Sequence, residues 1–383
     1  MKQDVKKNKK NNPNKGKVKR NVFFFLKTLV KNETCLEAGV KKPWYPAVII
    51  GLLAIFISVI PMFVQRANVN GRDFINGQYN YGFDVSSEKF VASLEENNLS
   101  LTVAEGESAK TLIVNKETWN AVYEADARGN HRFAHKDNNN TIDLEVFYTD
   151  GKIDNDFVNQ IGNNIAKDDG TFIARRSSFM VISPSEILVS LYKPNTTSAV
   201  SSIRGDYQYF EAGYDLRNIG KVMINNVEVT SKTYTADNYL AYKNGVLDNW
   251  KEFFDKSYLN NKRTMLWSTT GILLGVNAAI VLFMGLMLFL LTRGKTNNWK
   301  GVITFWNSQK AAYWASLAPA ILSVGLGFLM SSFAQIAFVL LMGMRAMWMV
   351  MRQLAPTNPI PESIVEPVKK ESKIFKAKSK PVN

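Results

Sequence analysis

A chain of 383 residues carries 47 Lys and Arg against 33 Asp and Glu, a formal net charge of +14, and is 46% hydrophobic. The charge is uneven: basic side chains outnumber acidic ones 13 to 3 before Trp44 and 12 to 3 from Thr264 onward, while Arg66–Arg263 is mildly acidic at 22 to 27. This excludes the basic folded face that nucleic acid requires, and a single cysteine, Cys35, excludes a disulfide framework within the chain.

Residues 1–21 are a Lys/Asn tract with almost no apolar side chain and are expected to be disordered. Such a tail is attracted to anionic lipid or to RNA, or is a solvated end that fixes orientation; no specific nucleic-acid binding is expected. Within residues 22–44 the run VFFFLKTLV is too short to span a membrane and reads as an interfacial helix. Trp44 and Tyr45 sit where an aromatic belt belongs. Residues 45–64 (YPAVIIGLLAIFISVIPMFV) form the first transmembrane helix. A signal peptide is the alternative, but the long leader and the lack of a small-x-small cleavage site favour an uncleaved anchor.

Residues 65–264 read as an α+β domain with a mostly antiparallel sheet, placed outside the cytoplasm. Val85, Phe90, Val91 and Leu94 recur at helical spacing and predict a helix over Asp84–Asn97. Strand-like runs follow at Leu99–Val103, Thr111–Val114, Ile142–Tyr148, Thr171–Ala174, Ser178–Ile182, Ile187–Tyr192 and Lys221–Val229. Turn signals at Asp150-Gly151, Asp169-Gly170 and Pro194-Asn195 separate them. Phe157, Ile161 and Ile165 predict a second helix over Asn155–Ile165, and Asn238–Tyr258 a third that leads to the membrane.

Residues 265–291 are the second span: Leu266–Leu291 contains no Asp, Glu, Lys, Arg or His and exceeds the roughly 20 residues that a bilayer core of about 30 Å requires. Residues 311–330 and 333–351 are the third and fourth spans, interrupted only by Gln335 and Arg345. A re-entrant hairpin buried in protein is the rival reading of that pair. Residues 352–383 are a second Pro/Lys tail, expected to be disordered and cytoplasmic. The expected fold is an α-helical membrane protein with four transmembrane helices and an extracytoplasmic α+β domain between helices 1 and 2. By the positive-inside rule both termini lie in the cytoplasm, in a plasma-membrane protein.

The cytoplasmic loop 292–310 places Trp299, Val302, Ile303 and Trp306 at i, i+3, i+4 and i+7, the spacing of a short amphipathic helix on the inner membrane face. It would either anchor the chain or dock a cytoplasmic partner. Arg345 is an intramembrane cation, by default a functional candidate, yet near enough to Arg352 to snorkel to the interface. Asn277 suits a helix–helix hydrogen bond, Gly271 and Gly275 form a GxxxG packing pair, and Pro319 interrupts the third span. His131 and His135 (HRFAH) have helical i, i+4 spacing, but their surroundings read as an exposed loop rather than a metal site. There is no GxSxG, no GxxxxGK[ST], and no constellation that names a catalytic residue, a metal or a cofactor.

Three stretches resemble an uncharacterised bacterial membrane-protein family, domain of unknown function 1189, some of whose members are labelled maltodextrin-utilisation proteins. They are FFFLKTLVKN; FYTDGKIDNDFVNQI with TFIARRSSFMVISPSEI; and NNWKGVITFWNSQKAAYWASLAPAILSVGLGF, which holds Pro319. The similarity covers about Val22–Leu354. It implies a multi-pass envelope protein associated in some cases with sugar uptake, and no catalytic residues. The function expected is a non-enzymatic accessory or sensor for a transporter, with anionic lipid and a transporter subunit as partners. The alternative is a permease-like subunit of an export or cell-division complex that engages a separate ATPase through loop 292–310; a hydrolase lacks any supporting nucleophile.

Overall fold

The computed structural model describes residues 24–75, 83–138, 140–166, 172–174, 177–192, 199–294, 297–356 and 358–360. The N-terminal tract 1–21, most of the tail 352–383 and the turns at Asp169-Gly170 and Pro194-Asn195 lie outside the described residues. The chain divides into two compact units, a helical one made of residues up to Ala67 and from Trp267 on, and a sheet-containing one, Asn68–Leu266.

In the helical unit, α1 (residues 24–30) and α2 (Asn32–Lys41) replace the single interfacial helix expected over 22–44. The break is at Lys31, whose backbone is extended (φ −103°, ψ 117°). Next come α3 (Trp44–Asn68), the later part of α7 (Tyr239–Leu291), α8 (Phe305–Leu329) and α9 (Ser331–Trp348), which runs into a π turn at Met349–Gln353. Four helices are long and apolar enough to cross a membrane: Trp44–Asn68, Tyr239–Leu291, Phe305–Leu329 and Phe333–Gln353. The stretch open to a hairpin reading forms two of them, joined at Met330 in extended conformation.

Small side chains line this unit's interior. Ala47, Ala54, Ala311, Ala312, Ala315 and Ala320 are fully buried, the pattern by which membrane helices pack through close backbone approach. At Gly39 of α2 a Cβ would lie 2.9 Å from the Ala311 Cβ of α8, so only glycine fits there.

The sheet unit is built on five strands in the order β3-β4-β7-β8-β9, namely Arg132–Lys136, Ile142–Tyr148, Ser178–Ile182, Glu186–Tyr192 and Ala199–Asp206. All neighbours are antiparallel except β4 and β7. The crossover between those two carries α6 (Asn155–Asn163) and the hairpin β5 (Asn164–Ala166) and β6 (Phe172–Ala174). Both faces are covered. Leu144, Val146, Met180, Ile182, Ile187 and Val189 meet Phe90, Val91 and Leu94 of α4 (Phe83–Glu96) and Trp250, Phe253 and Phe254 of α7. On the other face Phe147, Phe179 and Val181 meet Ile161 and Phe157 of α6. Coverage on both sides explains why β7 (SFMVI) is buried at every position and reads as a continuous apolar run. Two hairpins complete the unit: β1 (Leu101–Glu105) with β2 (Lys110–Val114), and β10 (Val222–Ile224) with β11 (Val227–Val229). The second turns through Asn225 and Asn226, both left-handed at φ 52° and 65°. A short helix, α5 (Lys116–Val122), is capped by Asn115, whose side chain accepts from the Thr118 N–H.

Candidate functional site

A cleft of about 560 Å³ opens in the sheet unit, lined by Lys152 and Asp154 ahead of α6, Glu186 of β8, Arg204 and Asp206 of β9, and Asn261 of α7. Its volume lies in the range of small-ligand pockets. The floor is a fixed polar lattice. Glu186 Oε1 accepts from the Ile153 N–H at 2.9 Å, its Oε2 faces Arg204 Nε at 3.3 Å, and Arg204 Nη2 donates to the Ile153 carbonyl at 2.6 Å. Asn261 Nδ2 donates to the Arg204 carbonyl at 2.7 Å. At Gly205 the backbone approaches α7 so closely that a Cβ would lie 2.6 Å from the Ser257 hydroxyl. Asp206 accepts from the Gln208 N–H and from Asn260, and Asp154 accepts from the Phe157 N–H at the start of α6. Behind the cleft, burial pushes the Tyr207 phenol well above its ordinary pKa, with Glu186 adding to the shift. Tyr207 therefore stays a donor, to the Ser183 carbonyl at 3.1 Å. Chemically this is a polar recess with Lys152 and Asp154 at its rim and Ser185 beside Glu186 in its lining.

The histidines do not sit in a loop. His135 belongs to β3 and His131 bridges to Ala125 just before it, so four residues separate them by roughly 13 Å of strand. His131 Nδ1 is 2.6 Å from the Tyr123 carbonyl and His135 Nδ1 is 2.7 Å from Asp143 Oδ1. Burial raises the Asp143 carboxyl above its usual range, although His135 pulls it down. Among the described residues no group of three His, Cys, Asp or Glu is placed to hold a metal ion.

In the helical unit Asn277 is fully buried and joins three helices. Its Nδ2 donates to Ser58 Oγ of α3 at 2.7 Å, and Gln335 Nε2 of α9 donates to its Oδ1 at 2.5 Å. Arg345 half-buries its guanidinium among α1, α2 and α8. It donates to Asn32 Oδ1 and to the Ala315 carbonyl at 2.8 Å each, to the Thr28 carbonyl, and to Cys35 Sγ at 3.4 Å. The Ala315 carbonyl is free because Pro319, four residues on, has no N–H to give it.

The amphipathic helix expected in loop 292–310 is absent. A 3-10 turn spans Asn298–Gly301, and Thr304, whose side chain accepts from the Asn307 N–H, caps a new helix that begins at Phe305. Trp299 and Ile303 consequently turn into the core, Trp299 at 2% exposure, with Val302 half-buried, while Trp306 points out at 74%. The four side chains share no face. At the GxxxG pair, no atom of the described residues lies within 4 Å of a Cβ at Gly271 or Gly275, so no helix of this chain packs closely there. In the apolar later part of α7 the close approach is at Gly285, against the Gln309 side chain.

Sequence reasoning missed every residue of the cleft, which comes from separate loops, strands and a helix without a local motif. Gln335 left a visible trace, as one of two polar interruptions in an apolar run. Comparison with protein families, with curated proteins and with solved structures finds no match to this chain.

Proposed function

We propose that the chain is a non-enzymatic, multi-pass plasma-membrane protein that serves a transporter as accessory or sensor, with its sheet unit outside, its ends in the cytoplasm, and the cleft as its ligand site. The observation that carries this reading is the cleft's polar floor, in which Glu186 and Arg204 are tied to each other and to the Ile153 backbone. The placement of basic residues before Trp44 and after Leu291 supports the orientation. The resemblance to domain of unknown function 1189, some of whose members are labelled maltodextrin-utilisation proteins, is the ground for sugar uptake as the setting. A docking role for loop 292–310 loses its premise with the inward turn of Trp299 and Ile303.

The test has two parts. Cysteines replacing Lys152 and Lys243, in a Cys35→Ala chain, should react with an impermeant reagent on intact cells, and one replacing Lys300 should not. Maltodextrin titrated into the purified full chain should bind, and Arg204→Ala should weaken binding at least tenfold. Reaction of Lys152→Cys and Lys300→Cys from the same side would sink the topology. Binding that ignores Arg204→Ala would remove the cleft from the reading.

A further inference from the structure

We propose that the α1–α2 hairpin is a releasable strap on the helical unit and that Arg345 is its latch. The guanidinium's donors run to separate segments: the Thr28 carbonyl in the last turn of α1, the Asn32 side chain at the start of α2, and the Ala315 carbonyl of α8. All three acceptors are neutral. A charge half-buried among neutral groups is a poor way to fill space, since an apolar side chain of the same size avoids the desolvation. It is a good way to hold two pieces in one position reversibly, because water can replace each hydrogen bond when the pieces part. The last turn of α1 carries the negative end of that short helix, which favours a cation at Thr28.

The bundle presents its half of the latch through Pro319. Without that proline the Ala315 carbonyl would be occupied inside α8. The inner side of the strap carries Cys35, fully buried against the bundle, with Sγ 3.2 Å from the Thr28 carbonyl and 3.4 Å from Arg345 Nη2. Its outer side shows Leu26 and Val30 at 51% and 82% exposure, four residues apart in the sequence where Lys27 and Lys31 also stand. That is the composition of a helix that lies stably in a membrane interface, so a released strap has a place to go. Closed and open strap are then two discrete arrangements of one element.

The chain carries its own reporter, because Cys35 is its only cysteine. In the full chain in native membranes, alkylation of Cys35 by a permeant maleimide should be slow. Arg345→Met should speed it at least tenfold. Pro319→Ala, which returns an N–H to the Ala315 carbonyl, and Asn32→Ala, which removes an acceptor on the strap alone, should each speed it severalfold. Burial pushes the Cys35 thiol up to about 11, and the Arg345 charge pulls it down. Loss of that charge without opening would therefore slow alkylation, so a faster reaction reports exposure. Asn32→Ala leaves every bundle side chain in place and keeps the test open if the other variants fail to fold. Unchanged rates in variants that keep the wild-type size-exclusion profile would overturn the proposal. So would wild-type Cys35 that reacts as fast as a free thiol.

Discussion

The two units bury polar groups by opposite rules. In the sheet unit buried carboxylates meet cations: Asp126 lies 2.8 Å from Arg128, Glu145, in the middle of β4, lies 2.7 Å from Arg132 of β3, and Glu88 lies 3.3 Å from Lys89. In the helical unit the buried partners are neutral, amide to hydroxyl at Asn277 and Ser58, amide to amide at Gln335, and guanidinium to carbonyl at Arg345. The packing differs in the same sense. Interlocked aromatic rings fill the sheet unit, with Trp250 against Phe83, Phe253 and Phe254, whereas alanine and glycine bring the helices together. The difference is the one expected if the helices, long and apolar enough to cross a membrane, meet lipid and the sheet unit meets water. Water drives large apolar side chains into one core, while lipid rewards only close contact and satisfied hydrogen bonds.

The largest way to separate the units is alkaline pH. Burial, chiefly, pushes Tyr123 and Tyr148 up to about 12, and raises Tyr207, Tyr214 and Tyr242 as well. An unfolded phenol ionises near about 10. The folded state thus holds protons that the unfolded state releases, so stability is full below about pH 10 and is lost as pH rises through about 12. Residues 68–266 expressed alone should show a melting temperature that is indifferent to reductant and falls steeply over that window. A flat profile would mean that the aromatic core is not closed.

A smaller effect sharpens the other side of the comparison. Asn277→Leu strands Gln335 and removes a partner of Ser58, and should cost the helical unit about 1 kcal/mol, in keeping with interhelical hydrogen bonds in membranes. Resistance of the intact chain to unfolding in mixed micelles of rising dodecyl sulfate measures it, and no loss would show that the three-helix junction is ornamental. The smallest effect is at the open glycines. Gly271→Ala and Gly275→Ala should leave that resistance unchanged or slightly raised, since alanine is the better helix former. Gly285→Ala should lower it, because its Cβ meets the Gln309 side chain.

Legibility followed the same divide. The four apolar helices were readable from run length, and β4 and β7 from unbroken or alternating apolar residues between turns. β3 (RFAHK) and β9 (AVSSIRGD) escaped. β3 is an edge strand exposing Ala134 and Lys136, and β9 places serines where an apolar face would announce itself, with Ser202 pairing Ser190 across the ladder. Loop 292–310 was misread because i, i+3, i+4, i+7 counts residues and not turns. The Thr304 cap that restarts the helix was a local signal, and it cuts that count in two. Gly271 and Gly275 show the same limit, since spacing says which side chains share a face but not whether anything stands opposite.

The single parallel ladder of the sheet closes its longest connection. β7 reaches β8 through the short turn Ser183–Ser185, but β4 must wait for the whole of 149–177 to close before it can pair with β7. Long closures lose more chain entropy before any contact repays them. β3 and β4, joined by a short turn of their own, meet earlier and bring Arg132 to Glu145. Because Arg132 stands on the neighbouring strand of the short β3–β4 hairpin, the Glu145 carboxylate is neutralised within that hairpin, and closing the long β4–β7 connection brings no bare charge to the core.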